Sequence, residues 1–440
     1  MIKVVKFGGS SVANAEQFKK VKSIVESDRT RKFIVTSACG KESKEDNKVT
    51  DLLYIVHAHV KYKLSADDIF AMIEKKYYGI RDALSLTINL EDEFKKIKKD
   101  ISENNDVDYL VSRGEYLTAL MLAEYIGAKF VDAKDVFKYS YDGNIDMSAT
   151  EEAFHKIIDT DEKIVFPGFY GAMPDGKIKV MSRGGSDITG SIIANVINAD
   201  LYENWTDVSG ILVCDPKIVK DPLRIKNITY SELREMSYMG ANVLHDEAVF
   251  PVKVKNIPIN IKNTNDPLNP GTMIMQSCEE VDKKEAPYPI TGITGKTGFT
   301  VITCIKNHIS SEIGFLRRIL TIFEKYKISV ESCPSSIDSV GIVVETRAIK
   351  KHLYEIIEEL KSNLKCDDVH IIDDISLIAV VGRAMVKKIG MSGKIFATLG
   401  ENNINIKTIS QGTDEICIVV GVETKDFENA IKCIYKKFIG

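Results

Sequence analysis

The sequence predicts two kinds of folded unit in one chain: an α/β domain on a mostly parallel sheet, then two small α+β domains of βαββαβ order. Three observations carry this. Residues 2–37 read strand, glycine turn, helix, strand, which is the spacing of a βαβ unit. An acidic, proline-containing stretch, Glu279 to Pro289, has the composition of a linker. Beyond it one pattern occurs twice.

In the first unit, Ile2 to Phe7 is a β run, Gly8-Gly9-Ser10-Ser11 a turn, and Phe18, Val21, Ile24 and Val25 mark one face of a helix over 15–27. Lys32 to Ser37 is the second strand. Residues 41–48 (KESKEDNK) form a charged loop, and 52–105 read as a charged helical subregion or lid. Residues 108–122, which include VSRGEYLTALML, read as a turn feeding an amphipathic helix. Strands follow at 129–132, 164–167 and 178–181, a helix at 188–198, a strand and tight turn over 201–215, a helix over 230–250, and a strand at 257–263. In the repeat, superposing Gly314 on Gly390 aligns Ile319 with Ile395, Phe323 with Leu399, Ile328 with Ile404 and Val330 with Ile406. Each copy has a strand before its helix (299–305 and 376–381), a hairpin partner after it (339–345 and 415–421) and a closing helix. Neither copy is large enough to bury much alone, so the two are expected to pair. The expected divisions are 1–280, a linker 281–292, and small domains over 293–370 and 371–440.

The net charge of −4 gives no overall basic character, so no nucleic-acid partner is expected. No run of apolar residues is long enough to span a membrane, and two lysines interrupt the N-terminal stretch where a secretory signal would be apolar. The eight cysteines lack metal-ligand spacing and read as free thiols in a reducing cytoplasm, with Cys39, beside a candidate loop, the accessible one. The histidines form no ligand-spaced group.

Several motifs carry candidate chemistry. Glycines after a strand let backbone N–H groups approach an anion, and Lys6 stands just before them. A helix N-terminus behind that turn would add its dipole. Ser182-Arg183-Gly184-Gly185-Ser186-Asp187 sits between a strand and a helix, on the edge where open α/β sheets bind ligands. Arginine suits a carboxylate and aspartate a cation, although Ser186 or Asp187 could equally be a helix cap. Trp205-Thr206-Asp207-Val208-Ser209-Gly210 is a strand-turn able to cup a base or ribose, or an ordinary turn. Glu115 could take an ammonium group or merely complement a helix dipole.

Together KFGGSS, SRGGSD, WTDVSG with Asp215-Pro216, and MSYMGANVLH, with the tandem repeat behind them, resemble the aspartate kinases. The resemblance implies an amino-acid-kinase-type three-layer α/β/α domain followed by two ferredoxin-like ACT domains. It implies ATP and Mg²⁺ as cofactors and phosphorylation of the aspartate β-carboxylate, the first step towards lysine, threonine and methionine. Lys6 and Asp187 would be catalytic. Gly8, Gly9, Ser10, Thr206, Asp207 and Lys217 would join Lys6 in binding nucleotide. Ser37, Thr50, Glu115 and Arg183 would hold aspartate. Ser311, Gly314, Phe315, Val330, Glu331, Ser339, Val340, Asn402, Asn403 and Ile404 would bind an amino-acid effector, lysine by preference and threonine next. A cytoplasmic homodimer paired through the ACT domains is expected, and the length leaves no room for a fused homoserine dehydrogenase. Leu212, Lys217 and Asn242 depart from the family pattern. The alternatives are a non-catalytic amino-acid sensor on a degenerate kinase domain, and a related carboxylate kinase with another substrate.

Overall fold

The computed structural model describes residues 1–43, 45–157, 162–182, 184–241, 244, 246–283 and 288–440. Of the residues singled out above, Lys44 of the charged loop, Arg183, Asn242, Val243, His245 and part of the expected linker, 284–287, lie outside these.

The described residues form two compact units. The first comprises Met1–Ile211, Lys226–Tyr230 and Val243–Cys278. Its sheet has eight strands in the order Lys129–Phe130, Ile164–Pro167, Arg31–Thr36, Lys3–Phe7, Leu201–Thr206, Ile259–Asn263, Thr272–Met275, Asn227–Thr229. Every neighbouring pair is parallel except Ile259–Asn263 with Thr272–Met275. Burial on both faces explains why the central strands, such as KVVKF and KFIVT, carry almost continuous apolar runs.

Alternation sorts those runs into two faces. Val5, Phe7, Ile34 and Val165 pack with the helices Ala15–Glu26, Val49–Lys61, Asp67–Ala83, Leu90–Asn104 and Val107–Ile126. On the opposite face, Tyr202, level with Val4, donates its hydroxyl to Asp187 O of the helix Gly185–Val196 at 3.1 Å. That makes three layers. The charged stretch after residue 48 is thus three ordinary helices with apolar inner stripes (Phe70, Ile73, Tyr77, Ile80; Phe94, Ile97, Ile101).

Several local expectations change. Ile178–Val180 leaves the main sheet and pairs with Tyr170–Ala172. The helix expected over 230–250 is two, Tyr230–Tyr238 and Asp246–Val254, with Gly240 at φ +107 between them. Thr272–Met275 and Asn227–Thr229 were not foreseen as strands; each is short and borders turn residues that mask the signal.

The second unit comprises Leu212–Ile225, Ser231–Asn242 and Glu279–Gly440. Its sheet runs Val330–Ser332, Ser339–Glu345, Gly292–Ile305, Asp368–Val381, Cys417–Glu423, Thr408–Gln411, antiparallel throughout. The aligned glycines of the two repeats play the same part: the helices Phe315–Lys325 and Met391–Glu401 each start after a left-handed glycine, Gly314 at φ +75 and Gly390 at φ +84. Each repeat has its own core. The boundaries differ from those expected. Residues 370–371 lie inside the continuous strand Asp368–Val381, which serves both repeats. The second repeat takes its last strand from before the first: Gly292–Lys296 pairs with Leu377–Val381. The range 1–280 also contributes the segments 212–225 and 231–242 to this unit.

Candidate active site

In a parallel sheet all strand C-termini fall on one edge, and here that edge is occupied by sequence-predicted residues. Phe7 is level with Thr36 and Trp205, so the turns after three strands meet. They line a cavity of about 1090 Å³. Its walls include Lys6, Gly8, Gly9, Ser10, Ser37, Thr50, Glu115, Asp187, Thr206 and Asp207. Lys217 is not among them; it lies exposed on a turn of the second unit, its N–H donating to Asp215. Residues not foreseen also line the cavity: Lys41, Lys48, Asp51, Tyr54, Phe169 and Met181.

At the centre Lys6 Nζ stands 2.6 Å from Asp187 Oδ1, with both side chains largely buried. Asn204 Nδ2 donates to the same oxygen at 2.8 Å. Lys6 and Asn204 are direct neighbours across two parallel strands, so both side chains rise from the same face towards Asp187 in the first turn of its helix. Asp187 therefore serves as an ion-pair partner. The helix cap is Gly184, at φ +79, with no side-chain cap bond. Asn204 lacked any sequence signal beyond its place one residue before Trp205.

The glycine turn is a 3-10 turn, Gly9–Val12, and the following long helix starts only at Ala15, capped by its own Asn14. The long helix thus begins beyond the turn, with Asn14 accepting the Gln17 N–H at its start. Gly8 N–H donates to Trp205 O at 2.9 Å, and Ser11 shares a 2.7 Å hydrogen bond with Thr264. Trp205 itself is core, held by Glu203 and covered by Arg31. Only the Thr206-Asp207 end of that motif reaches the cavity.

Glu115 sits in the buried helix Val107–Ile126. Burial pushes its carboxyl up to about 8, while a hydrogen bond from the Ala38 backbone and the charges of Arg113 and Lys6 pull the other way. Its Oε2 is buried with no hydrogen-bond partner. A half-satisfied carboxylate at a cavity wall is a costly arrangement unless a cationic ligand completes it. Cys39 was expected to be accessible; it is only 1% exposed, and burial raises its thiol to about 11. The site therefore offers a lysine cation, glycine-rich backbone N–H groups and a buried acceptor in one cavity: the equipment for positioning a phosphorylated donor beside an ammonium-bearing acceptor, with no covalent nucleophile needed.

The comparisons agree. Residues 1–263 match the amino acid kinase family, and residues 378–438 match an ACT domain. Aspartokinase 3 of Bacillus subtilis is 36% identical over 99% of this chain and 98% of its own length. The aspartokinase of Saccharomyces cerevisiae is 28% identical, over 99% and 92%. The crystal structure of the Clostridium acetobutylicum aspartate kinase superposes with a TM-score of 0.90 at 47% identity, over 99% of both chains. Fold and site thus define an amino acid kinase carrying ACT domains. Within that class the chain belongs to the aspartokinase family, whose reaction is the ATP-dependent phosphorylation of the aspartate β-carboxylate.

Of the residues expected to bind effector, Val330 and Glu331 lie on one edge strand and Ser339 and Val340 begin its neighbour. Phe315 and Val340 are core side chains of the first repeat, and Ile404 of the second. Asn402 and Asn403 form the helix-to-strand turn of the second repeat, with Asn402 donating to Thr398 O at 2.8 Å. Ser311 and Gly314 are in the exposed turn before the first repeat's helix.

Proposed function

We propose a division of labour within the cavity. Gly8, Gly9 and Ser10 cradle the nucleotide phosphates, Thr206 and Asp207 contact the nucleotide, and Lys6 neutralises the phosphoryl group in flight. Asp187, oriented by Asn204, holds Lys6 in place. Ser37, Thr50 and Glu115 bind aspartate, with Glu115 taking the α-ammonium, and Arg183 clamps a carboxylate. The observation that carries this reading is the 2.6 Å Lys6–Asp187 pair in one cavity with the glycine turn and the buried, half-partnered Glu115.

The aspartate β-carboxylate is ionised at neutral pH and needs no strong base to become a nucleophile. Catalysis then rests on alignment and on neutralising charge. Mg²⁺ fits this site in one way. Among the described residues no group of three or more His, Cys, Asp or Glu could hold a metal ion, whereas Mg²⁺ commonly takes one or two carboxylates together with substrate phosphates. Asp187 and Asp207 are the candidates. When bound, the ion offsets phosphate charge.

Lys217, placed in the second unit, is assigned to the nucleotide by resemblance alone. The ACT unit binds an amino-acid effector, lysine by preference and threonine next, through the turn at 311–315, the strand pair at 330–331 and 339–340, and the turn at 402–404. Phe315, Val340 and Ile404, being core, offer their backbone. The Clostridium relative is described as an allosteric enzyme, which supports this reading. The protein works as a cytoplasmic homodimer paired through the ACT domains.

The experiment is a hydroxamate-trapping assay with Mg-ATP and aspartate, glutamate as control, and added lysine, threonine or both. Aspartate-dependent turnover that is lost in Lys6→Met supports the catalytic assignment. Turnover that survives Lys6→Met overturns it, and insensitivity to both amino acids overturns the effector reading.

A further inference from the structure

Part of the cavity wall comes from the stretch after the second strand, which supplies Gly40, Lys41 and Lys48 and leads to Thr50 and Asp51. A loop rich in charge has no core of its own to hold it. What fixes it here comes from a distant helix. Lys76, in Asp67–Ala83, extends a side chain that is only 9% exposed. Its Nζ donates to Gly40 O at 2.5 Å and to Asp46 Oδ2 at 2.6 Å. Asp46 Oδ2 also accepts the Glu42 N–H at 2.9 Å, so one ammonium ties both ends of the loop.

Gly40 is the joint between this loop and the glycine turn. Its N–H donates to Gly9 O at 2.9 Å. A Cβ there would come within 2.5 Å of Gly9 C and 2.6 Å of Gly9 O, so no other residue fits. Two carbonyls beside the glycine turn are thereby engaged: Gly9 O by Gly40 N–H, and Gly40 O by Lys76. Neither is left to repel an incoming phosphate, and the turn's N–H groups keep the field that an anion needs. Adjacent Tyr77, fully buried, donates to Gly114 O at 2.8 Å, one residue before Glu115. A single helix thus braces the phosphate wall through Lys76 and the Glu115 helix through Tyr77.

We propose that Lys76 is a positioning residue for phosphoryl transfer: by holding Gly40 O it sets Gly40 against the glycine turn. This rests on the reading of Gly8–Ser10 as the phosphate cradle. Lys76 touches no reacting atom; its effect passes through Gly40 to Gly9. A displacement of about 1 Å at a reacting group costs on the order of a hundredfold in rate.

The test compares steady-state kinetics and thermal midpoints of the full-length protein and of Lys76→Met, Lys76→Gln, Asp46→Asn and Lys6→Met. In Lys76→Met, which loses both bonds, kcat falls at least tenfold and KM for ATP rises at least threefold, while the near-UV spectrum stays native. Asp46→Asn keeps the Gly40 bond and changes each constant less than threefold. Lys76→Gln, which keeps a donor for Gly40 O without the charge, falls between the two, and it decides the matter if Lys76→Met does not fold. Lys76 variants with kcat and KM within twofold of the parent overturn the inference. So does an Asp46→Asn enzyme impaired as much as Lys76→Met, since that would mark a merely structural ion pair. Lys6→Met separates the two readings: if it is active the assignment of phosphoryl transfer to this cavity fails, whereas a dead Lys6→Met beside normal Lys76 variants sinks this inference alone.

Discussion

Replacing Glu115 with glutamine should stabilise the ligand-free protein near neutral pH while abolishing the pH dependence of aspartate binding. The carboxyl titrates at about 8 in the folded chain against an ordinary value of 4.5. Between those two values the unfolded chain releases its proton and the folded chain retains it. Stability therefore falls as pH rises from about 4.5, and the loss is complete only above about 8. At pH 7 the cost is ~3 kcal/mol, since each pH unit between the two values is worth about 1.4 kcal/mol. Glutamine escapes that cost but leaves its amide short of partners, so a net gain of ~1–3 kcal/mol is expected. At 2–4 °C per kcal/mol that is a rise of roughly 2–12 °C in thermal midpoint at pH 7.5, shrinking towards zero at pH 5. Aspartate binding reports the same group independently. Proton and substrate ammonium compete for Glu115, so in the parent the affinity for aspartate should drop about tenfold per pH unit below 8. In Glu115→Gln it should be weak and flat. The assays are thermal melts from pH 5 to 8.5 and aspartate titrations over the same range. A midpoint difference that does not change with pH, or a parent whose aspartate affinity is constant from pH 6 to 8, would refute the assignment.

Two further outcomes follow from the geometry. Asn204→Ala frees Asp187 from one of its two partners, and kcat should fall about tenfold, equivalent to ~1.4 kcal/mol, with KM for aspartate little changed in steady-state assays. Glu203 accepts Arg31 Nε at 2.8 Å and Trp205 Nε1 at 2.9 Å while almost wholly buried. Glu203→Ala strands the Arg31 charge in the core and should cost ~3–5 kcal/mol, lowering the thermal midpoint by about 10 °C or more in a melt.

Much of the site was legible because its signals are local. A strand followed by KFGG places Lys6 and the glycines at a sheet edge whatever the rest of the chain does, and a strand followed by SRGGSD does the same for Asp187. The repeat was visible because two amphipathic helices must each bury the same face after the same left-handed glycine. Asn204 and Lys76 were invisible for the opposite reason. Each acts across a gap in sequence, Asn204 on Asp187 and Lys76 on Gly40, and nothing nearby distinguishes an orienting asparagine or a buried lysine from an ordinary one. Lys76 in particular lies in a helix whose exposed face is charged, where a solvated lysine is the natural reading. Cys39 was misread as accessible because adjacency to a cavity loop in sequence says nothing about which way its side chain packs.

By itself the sequence determined the parallel α/β class, the tandem repeat, and the residue types that meet at the strand ends, because periodicity and turn chemistry are properties of short segments. Only the tertiary structure decided that Lys6 pairs with Asp187, that Lys217 belongs to the second unit, and that Gly292–Lys296 completes the second repeat before the first has begun. It also decided how far Glu115 is buried and hence how its proton is held. Those outcomes depend on strand order, register and desolvation, which are set by contacts between residues far apart in the chain, and no local pattern encodes them.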